Sequence, residues 1–263
     1  MSEIRVLVTG AAGRMGSQVV RAVVATDDLK LVGAVDRTRA GEDAGRVAGA
    51  GAADVIITDS LPDAIAASSP DVMVDFTLPD SVMANVRTAL KAGVTAVVGT
   101  SGLTERNLEE LAALSEERKR PVFVAPNFAI GAVLMMQFAA QAARHFDAAE
   151  IIELHHAGKA DAPSGTALRT AQLMTSVPGS RFSGGQSADG RPARGQAEGP
   201  IHIHSVRLPG LVAHQEVMFG GLGETLTIRH DSSSRESFMP GVLLAIRRVR
   251  GLRGLVVGLE KLL

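Results

Sequence analysis

The chain has 263 residues, 46% hydrophobic and 21% charged, enough to bury the core of one large or two modest domains. A net charge of −1 offers no basic field to nucleic acid, and the lack of Trp and Tyr removes the usual base-stacking platforms. The absence of Cys excludes disulfides, thiolate nucleophiles and thiolate metal sites and fits a cytoplasmic protein; no apolar run is long enough to span a membrane, and Met-Ser-Glu-Ile-Arg carries no signal-peptide pattern.

Ile4 to Val8 is a β-branched apolar run that reads as a buried parallel strand. It enters Thr9-Gly10-Ala11-Ala12-Gly13-Arg14-Met15-Gly16, after which Met15, Val19, Val20 and Val23 recur at helical spacing. Strand, glycine-rich turn and helix predict the phosphate-binding unit of a Rossmann-like fold. Gly10 and Gly13 permit a tight turn close to a pyrophosphate, and Gly16 permits close packing of helix on strand. Ala12, Arg14 and Met15 complete the candidate cofactor turn. A second strand, Leu29 to Val35, ends at Asp36, placed to take the ribose hydroxyls of NAD. Arg37 and Arg39 follow, where an arginine can accommodate the 2′-phosphate of NADP or lie as a solvated loop charge. The acid beside the base leaves both NADH and NADPH open.

Val55 to Thr58, Asp71 to Phe76, Val94 to Val98 and Val122 to Ala125 predict further strands. Between them Pro62 to Ala67, Ser81 to Ala92 and Thr104 to about Lys119 predict helices. This alternation is that of an α/β, doubly wound parallel sheet, whose ligands bind at the carboxyl ends of the strands. Phe76-Thr77, Gly99-Thr100-Ser101-Gly102 and Ala125-Pro126-Asn127-Phe128 lie at those ends, and ordinary turn chemistry would use the same residues. Asn127 to Gly131 changes character and predicts a hinge to a second, α+β domain.

That domain opens with a predicted helix, Ala132 to about His145, and a strand, Ile151 to His155. The densest polar chemistry of the chain follows: His155-His156-Ala157-Gly158-Lys159-Ala160-Asp161-Ala162-Pro163-Ser164-Gly165-Thr166-Ala167. Histidine suits a general acid near neutral pH, and lysine supplies a fixed positive charge. Ser164-Gly165-Thr166 opens a helix to about Thr175, whose first N–H groups favour a carboxylate or phosphate. Together they predict a site for an anion that must also receive a proton. Ser164 reads equally as an N-cap, and on a strand His155 and His156 point to opposite faces.

Pro178 to Pro200 lacks periodicity and reads as a long exposed loop. Ile201 to Val206, Leu211 to Phe219 and Glu224 to His230 predict strands of a mixed or antiparallel sheet. His202 and His204 share a face without a third ligand at matching spacing; they are read as structural, as are His214 and His230, and no metal is expected. Ser233 to Phe238 leads into a helix near Pro240, and the apolar segment Leu252 to Leu263 closes the chain.

The run His-His-x-x-Lys-x-Asp-Ala-Pro-Ser-Gly-Thr-Ala resembles the signature of the dihydrodipicolinate reductases, also called 4-hydroxy-tetrahydrodipicolinate reductases. The resemblance covers nearly the whole chain. It implies reduction of 4-hydroxy-tetrahydrodipicolinate to tetrahydrodipicolinate by NADH and/or NADPH on the route to diaminopimelate and lysine. His155 matches the family's proton donor, and Lys159 would stabilise developing charge and anchor a carboxylate. His156, Ser164, Gly165, Thr166 and Arg235 would hold the small dicarboxylate substrate. Phe128 would sit near the nicotinamide, and the three strand-end segments would contact ribose or nicotinamide. The resemblance also implies a nucleotide domain of residues 1–127 plus 239–263, a substrate-binding and oligomerisation domain of residues 128–238, and a homotetramer formed through the second domain's sheet. Two departures stand out: Gly-Thr-Ser-Gly at 99–102 where the family usually has Gly-Thr-Thr-Gly, and Gly158 where some members have histidine. The rivals are an NAD-dependent dehydrogenase acting on aspartate or a related amino acid, and a dinucleotide sensor with no need of His155 and Lys159.

Overall fold

The computed structural model describes residues 3–182 and 192–263. They form two compact units, Met1–Phe128 with Phe238–Leu263, and Ala129–Ser237. The first unit begins with β1 (Ile4–Thr9), α1 (Gly16–Val24), β2 (Leu29–Val35), α2 (Ala44–Ala48), β3 (Ile57–Thr58) and α3 (Leu61–Ser68). It continues through β4 (Val72–Asp75), α4 (Pro79–Lys91), β5 (Thr95–Val98), α5 (Glu105–Arg118) and β6 (Val122–Val124). The strands are apolar on both faces because helices cover both. Leu7, Met73 and Phe123 have no exposed surface, and burial of each such side chain contributes roughly 1.5–3 kcal/mol. Ser60 caps α3, and Thr104 with Asn107 forms a reciprocal capping box on α5, so these helices start where their polar side chains dictate.

The second unit contains α6 (Ile130–Ala142), β7 (Ala148–His155), α7 (Gly165–Thr175), β8 (Gln196–Glu198), β9 (Ile201–Arg207), β10 (Ala213–Gly221) and β11 (Glu224–Ser232). Its sheet runs β11-β10-β7-β9-β8, with β7 and β9 parallel and the other pairs antiparallel. The segment expected to be a long loop carries a 3-10 turn (Pro192–Arg194) and β8, while residues 183–191 of it lie outside the described residues. β8 escapes a periodicity reading because it is a three-residue edge strand whose side chains are exposed or half-buried. It pairs with the start of β9 across a turn at Gly199.

The chain then returns to the first unit. A 3-10 turn (Arg235–Phe238) leads into α8 (Met239–Val249), with Pro240 in its first turn, and β12 (Leu255–Val257) pairs parallel with β6. The first sheet is therefore seven-stranded and all parallel, in the order β12-β6-β5-β4-β1-β2-β3. This is the Rossmann-like arrangement with a second, mixed-sheet domain. Two local expectations needed correction. The strand expected over Val55 to Thr58 shrinks to Ile57–Thr58, because Ile56 bridges antiparallel to Asp43 instead. The short helix α2 carries no periodic signal of its own; Asp43 caps it and Gly49 ends it in the left-handed region.

Candidate active site

In the first sheet the chain leaves β1 for β2 on one side, while β4 lies on the other. A crevice opens at the carboxyl ends where the order reverses. Here it is a cleft of 730 Å³ lined among others by Gly10, Gly13, Asp36, Arg37, Phe76 and Thr77. Gly10 has φ +74°, and a Cβ on it would overlap the Phe76 carbonyl; one on Gly16 would overlap the Gly10 carbonyl. The turn is thus folded as tightly as backbone allows, and only glycine fits at either place. No side chain caps α1, so the start of that helix suits an anion. Arg14 is exposed in the turn and Met15 half-buried.

Asp36 links this turn to the end of β2. Its Oδ2 accepts from the Ala12 N–H at 3.0 Å, and its Oδ1 accepts from the Thr38 N–H and hydroxyl at 2.9 and 2.8 Å. Arg37 is exposed beside it, whereas Arg39 is tied to Glu42 as a surface pair. The cradle, the uncapped helix and the acid at the strand end fit a nicotinamide dinucleotide.

Beneath the cleft lies Asp75, with no exposed surface. Its Oδ1 accepts from the Thr77 N–H (3.1 Å), the Thr77 hydroxyl (2.8 Å) and the Thr100 hydroxyl (2.6 Å). Its Oδ2 accepts from the Thr9 hydroxyl and the Asn85 amide, both at 2.8 Å. One carboxyl group thereby ties together the ends of β1, β4 and β5 and the face of α4. Thr77 and Thr100, expected as ligand contacts, spend their hydroxyls on Asp75. Asp75 itself escaped attention, although an acid closing a wholly buried strand must find donors. Phe128 is 3% exposed, with ring centroids 5.7 Å from Phe76 and 6.2 Å from Phe123, so its ring serves the core. Ala125 is buried, Gly99 lies against the Phe76 ring, Asn127 is half-buried and Ser101 is exposed.

In the second unit, strand register places Ser232, Ala213, His155 and Arg207 in one row across β11, β10, β7 and β9. The carboxyl ends of β7, β9 and β11 therefore share an edge. That edge carries Lys159 on the segment after β7 and half-buried Arg235 on the turn after β11.

Glu153 and His155 are two apart on β7 and share a face. Glu153 has no exposed surface. Its Oε2 lies 2.5 Å from His155 Nδ1 and accepts from Arg207 Nη1 at 2.8 Å. Its Oε1 accepts from Arg207 Nη2 at 2.8 Å and from the Ser164 N–H at 3.2 Å. Burial pushes this carboxyl group up, but hydrogen bonds from His155, Arg207 and Ser205 outweigh it and hold the group down to about 2. Glu153 is a carboxylate at neutral pH. Neither it nor Arg207 was singled out in the sequence; the available signal was an acid at strand spacing before the first histidine.

Lys159 Nζ donates to both Asp161 carboxylate oxygens, at 2.7 and 2.8 Å, and its hydrogen bond holds Asp161 below the usual range. Arg207 Nη2 also donates to the Asp161 carbonyl at 2.6 Å, tying this loop to β9. Ser164 is buried as the N-cap of α7, its hydroxyl accepting from the Ala167 N–H at 3.2 Å. Gly165 is exposed, with open space where a Cβ would stand, and His156 and Thr166 are half-buried. Of the other histidines, His204 pairs with Glu150 at 2.7 Å and His214 with Asp231 at 2.7 Å. His230 packs against Gly131, and burial holds its pKa down. A carboxylate-held imidazole, an amine and a helix start on one edge can bind an anion and protonate it.

Comparison with known proteins agrees with this architecture. The family model described as dihydrodipicolinate reductase, N-terminus, matches residues 4–128, and that described as dihydrodipicolinate reductase, C-terminus, matches residues 131–263. The 4-hydroxy-tetrahydrodipicolinate reductase of Moorella thermoacetica is 52% identical over 264 residues, covering 100% of this chain and 99% of the relative. That of Gloeobacter violaceus is 51% identical over 268 residues, covering 99% of each. The dipicolinate-bound dihydrodipicolinate reductase from Paenisporosarcina sp. TG-14 superposes with a TM-score of 0.86 at 42% identity, covering 99% of this chain and 100% of that one.

Proposed function

The chain belongs to the dihydrodipicolinate reductase family, and from that premise we propose how its residues divide the reaction. It is an NAD(P)H-dependent oxidoreductase that reduces 4-hydroxy-tetrahydrodipicolinate in diaminopimelate and lysine biosynthesis. When bound, the reduced nicotinamide supplies a hydride. Residues 1–127 with 239–263 form its domain. Gly10, Ala12, Gly13, Arg14 and Met15 receive the pyrophosphate at the start of α1. Asp36 and Arg37 meet the adenosine ribose and any 2′-phosphate. Phe76, Thr77, Gly99, Thr100, Ser101, Ala125, Asn127 and Phe128 line the remainder, several of them through backbone, because their side chains are buried or bonded to Asp75.

Residues 128–238 bind the substrate. The dipicolinate held by the Paenisporosarcina relative supports a small cyclic dicarboxylate here too. His156, Lys159, Gly165, Thr166 and Arg235 hold its two carboxylates, and Ser164 keeps the helix start in shape. Two of the three Lys159 N–H donors are spent on Asp161, which leaves one for a substrate carboxylate. His155 delivers the proton that completes the reduction, which contributes roughly 10²–10⁴-fold for a well-placed general acid. The observation that carries this reading is an imidazole gripped by a buried carboxylate, with an amine on the loop that follows. We place the enzyme in the cytoplasm as a homotetramer. In support, one sheet face of the second unit carries half-exposed Ile152, Leu154 and Met218.

The test generates the substrate in place from pyruvate and aspartate semialdehyde with dihydrodipicolinate synthase, then follows loss of NADH or NADPH. Consumption that requires every component and collapses in His155→Ala or Lys159→Ala is expected. Undiminished consumption in His155→Ala would remove His155 as the donor, and light scattering decides the tetramer.

A further inference from the structure

We propose that Glu153, clamped by Arg207, is a positioning residue for the reduction: it keeps the hydrogen of His155 on Nδ1 and so makes Nε2 the nitrogen that faces the ligand and delivers the proton. The inference rests on the reading of His155 as the donor.

The argument begins with strand geometry. Side chains two apart on a strand share a face, so Glu153 lies beside the His155 ring by construction of β7. An ionised carboxylate can only accept, so the nitrogen 2.5 Å from Glu153 Oε2 must be a donor. A hydrogen on Nδ1 leaves Nε2 as the exchangeable position. The His155 side chain keeps 14% exposure, whereas Glu153 keeps none, so the open part of the pair belongs to the ring. In the reduction, the Nε2–H bond of the imidazolium breaks as a bond to hydrogen forms on the ligand. The ring is left neutral with Nδ1–H still on Glu153, and solvent returns the proton to Nε2.

Arg207 makes this arrangement rigid. Its fork takes both Glu153 oxygens, and Nη2 also takes the Asp161 carbonyl. One guanidinium therefore fixes both the carboxylate that orients His155 and the loop that carries Lys159. The Ser164 N–H on Oε1 adds the start of α7 to the same carboxylate. The donor, the amine and the helix start are thus all referenced to Glu153. Stability alone is a weak reason for such a group, since well-packed apolar residues commonly replace a buried ion pair without loss.

Glu153→Gln separates positioning from packing because it keeps the shape. Gln has one acceptor oxygen where Glu has two, and Arg207 competes for it. The amide N–H then faces His155 Nδ1, which must become an acceptor, moving the ring hydrogen to Nε2. Nitrogen NMR of histidine-labelled protein, with His155→Gln used for assignment, reads the tautomer directly. The expected results are Nδ1–H in the wild type at alkaline pH, Nε2–H in Glu153→Gln, and a kcat lower by about 10²-fold or more with KM within about threefold. A free neutral imidazole favours hydrogen on Nε2, so Nδ1–H in the wild type is itself diagnostic, even if the variant does not fold. An Nε2–H ring in the wild type, or a folded Glu153→Gln enzyme with wild-type kcat, overturns the proposal. Should His155→Gln remain active, the donor reading falls; should it be inactive while Glu153→Gln keeps full kcat, only the role of Glu153 falls.

Discussion

Asp75→Asn is the most informative change to the first unit. It preserves shape and removes one acceptor oxygen from a carboxyl group that receives five donors. If the new N–H₂ replaces Oδ2, it confronts the Thr9 hydroxyl and the Asn85 amide. If it replaces Oδ1, it confronts Thr77 twice and Thr100 once. The first choice disturbs fewer bonds, so at least two lose a charged acceptor and re-form only as weaker neutral bonds, by rotation of the Thr9 hydroxyl and a flip of the Asn85 amide. Hydrogen bonds to a charged group contribute roughly 1.5–3 kcal/mol each. The Thr9 hydroxyl has a fallback, since the Val74 carbonyl lies 3.4 Å away. The expected loss therefore sits at the lower end, about 3 kcal/mol, a large part of a typical total of roughly 5–15 kcal/mol. With a slope of roughly 2–3 kcal/mol per molar urea, the unfolding midpoint should fall by about 1 M. The loops bearing Thr77 and Thr100 lose their anchor, so the Kd for NADH should rise about tenfold, or ~1.4 kcal/mol. Circular dichroism follows the first, and the fluorescence of NADH follows the second, with no Trp or Tyr emission to confuse it. An Asp75→Asn protein with unchanged midpoint and unchanged Kd would refute the role assigned to this carboxyl group.

Gly16→Ala drives a methyl group into the Gly10 carbonyl. Overpacking of this kind costs about 1–3 kcal/mol, and calorimetry should show weaker NADH binding than in the wild type. Arg37→Ala should lower kcat/KM about tenfold with NADPH and little with NADH, and equal losses would remove Arg37 from the 2′-phosphate. Glu153 is held to about 2 against an ordinary 4.5, so its contribution to stability is fully present above about pH 4.5 and is lost as pH falls towards 2. Urea midpoints measured from pH 6 down to pH 3 should fall more steeply for the wild type than for Glu153→Gln.

The dinucleotide half was legible because its signals are local. Val6 to Val8 is buried on both faces, the glycines sit where backbone touches backbone, and Asp36 follows the second strand. The second half was legible chiefly in the loop after His155, where the candidate groups follow one another along the chain. What stayed hidden was the support beneath them. Glu153 meets Arg207 across the β7–β9 pairing, and Asp75 meets Thr9, Asn85 and Thr100 across three strands and a helix. A single sequence offers a buried acid without saying which distant donors will meet it. Ser164 shows the converse, for a residue the sequence offered to the substrate has its hydroxyl engaged in capping a helix.

The return of α8 and β12 to the first sheet has a consequence for how the protein is made. A ribosome that has reached residue 128 has produced β1 to β6 but neither the helix that packs on α1, β5 and β6 nor the strand that shields the edge of β6. Val242, Ala245, Ile246 and Val249, all without exposed surface, are still to come. Residues 129–237, by contrast, are contiguous and can complete their own fold as they emerge. The half that is translated first is therefore finished last. Until residues 238–263 emerge it presents an unpaired parallel edge and an uncovered apolar face, a natural client surface for a chaperone.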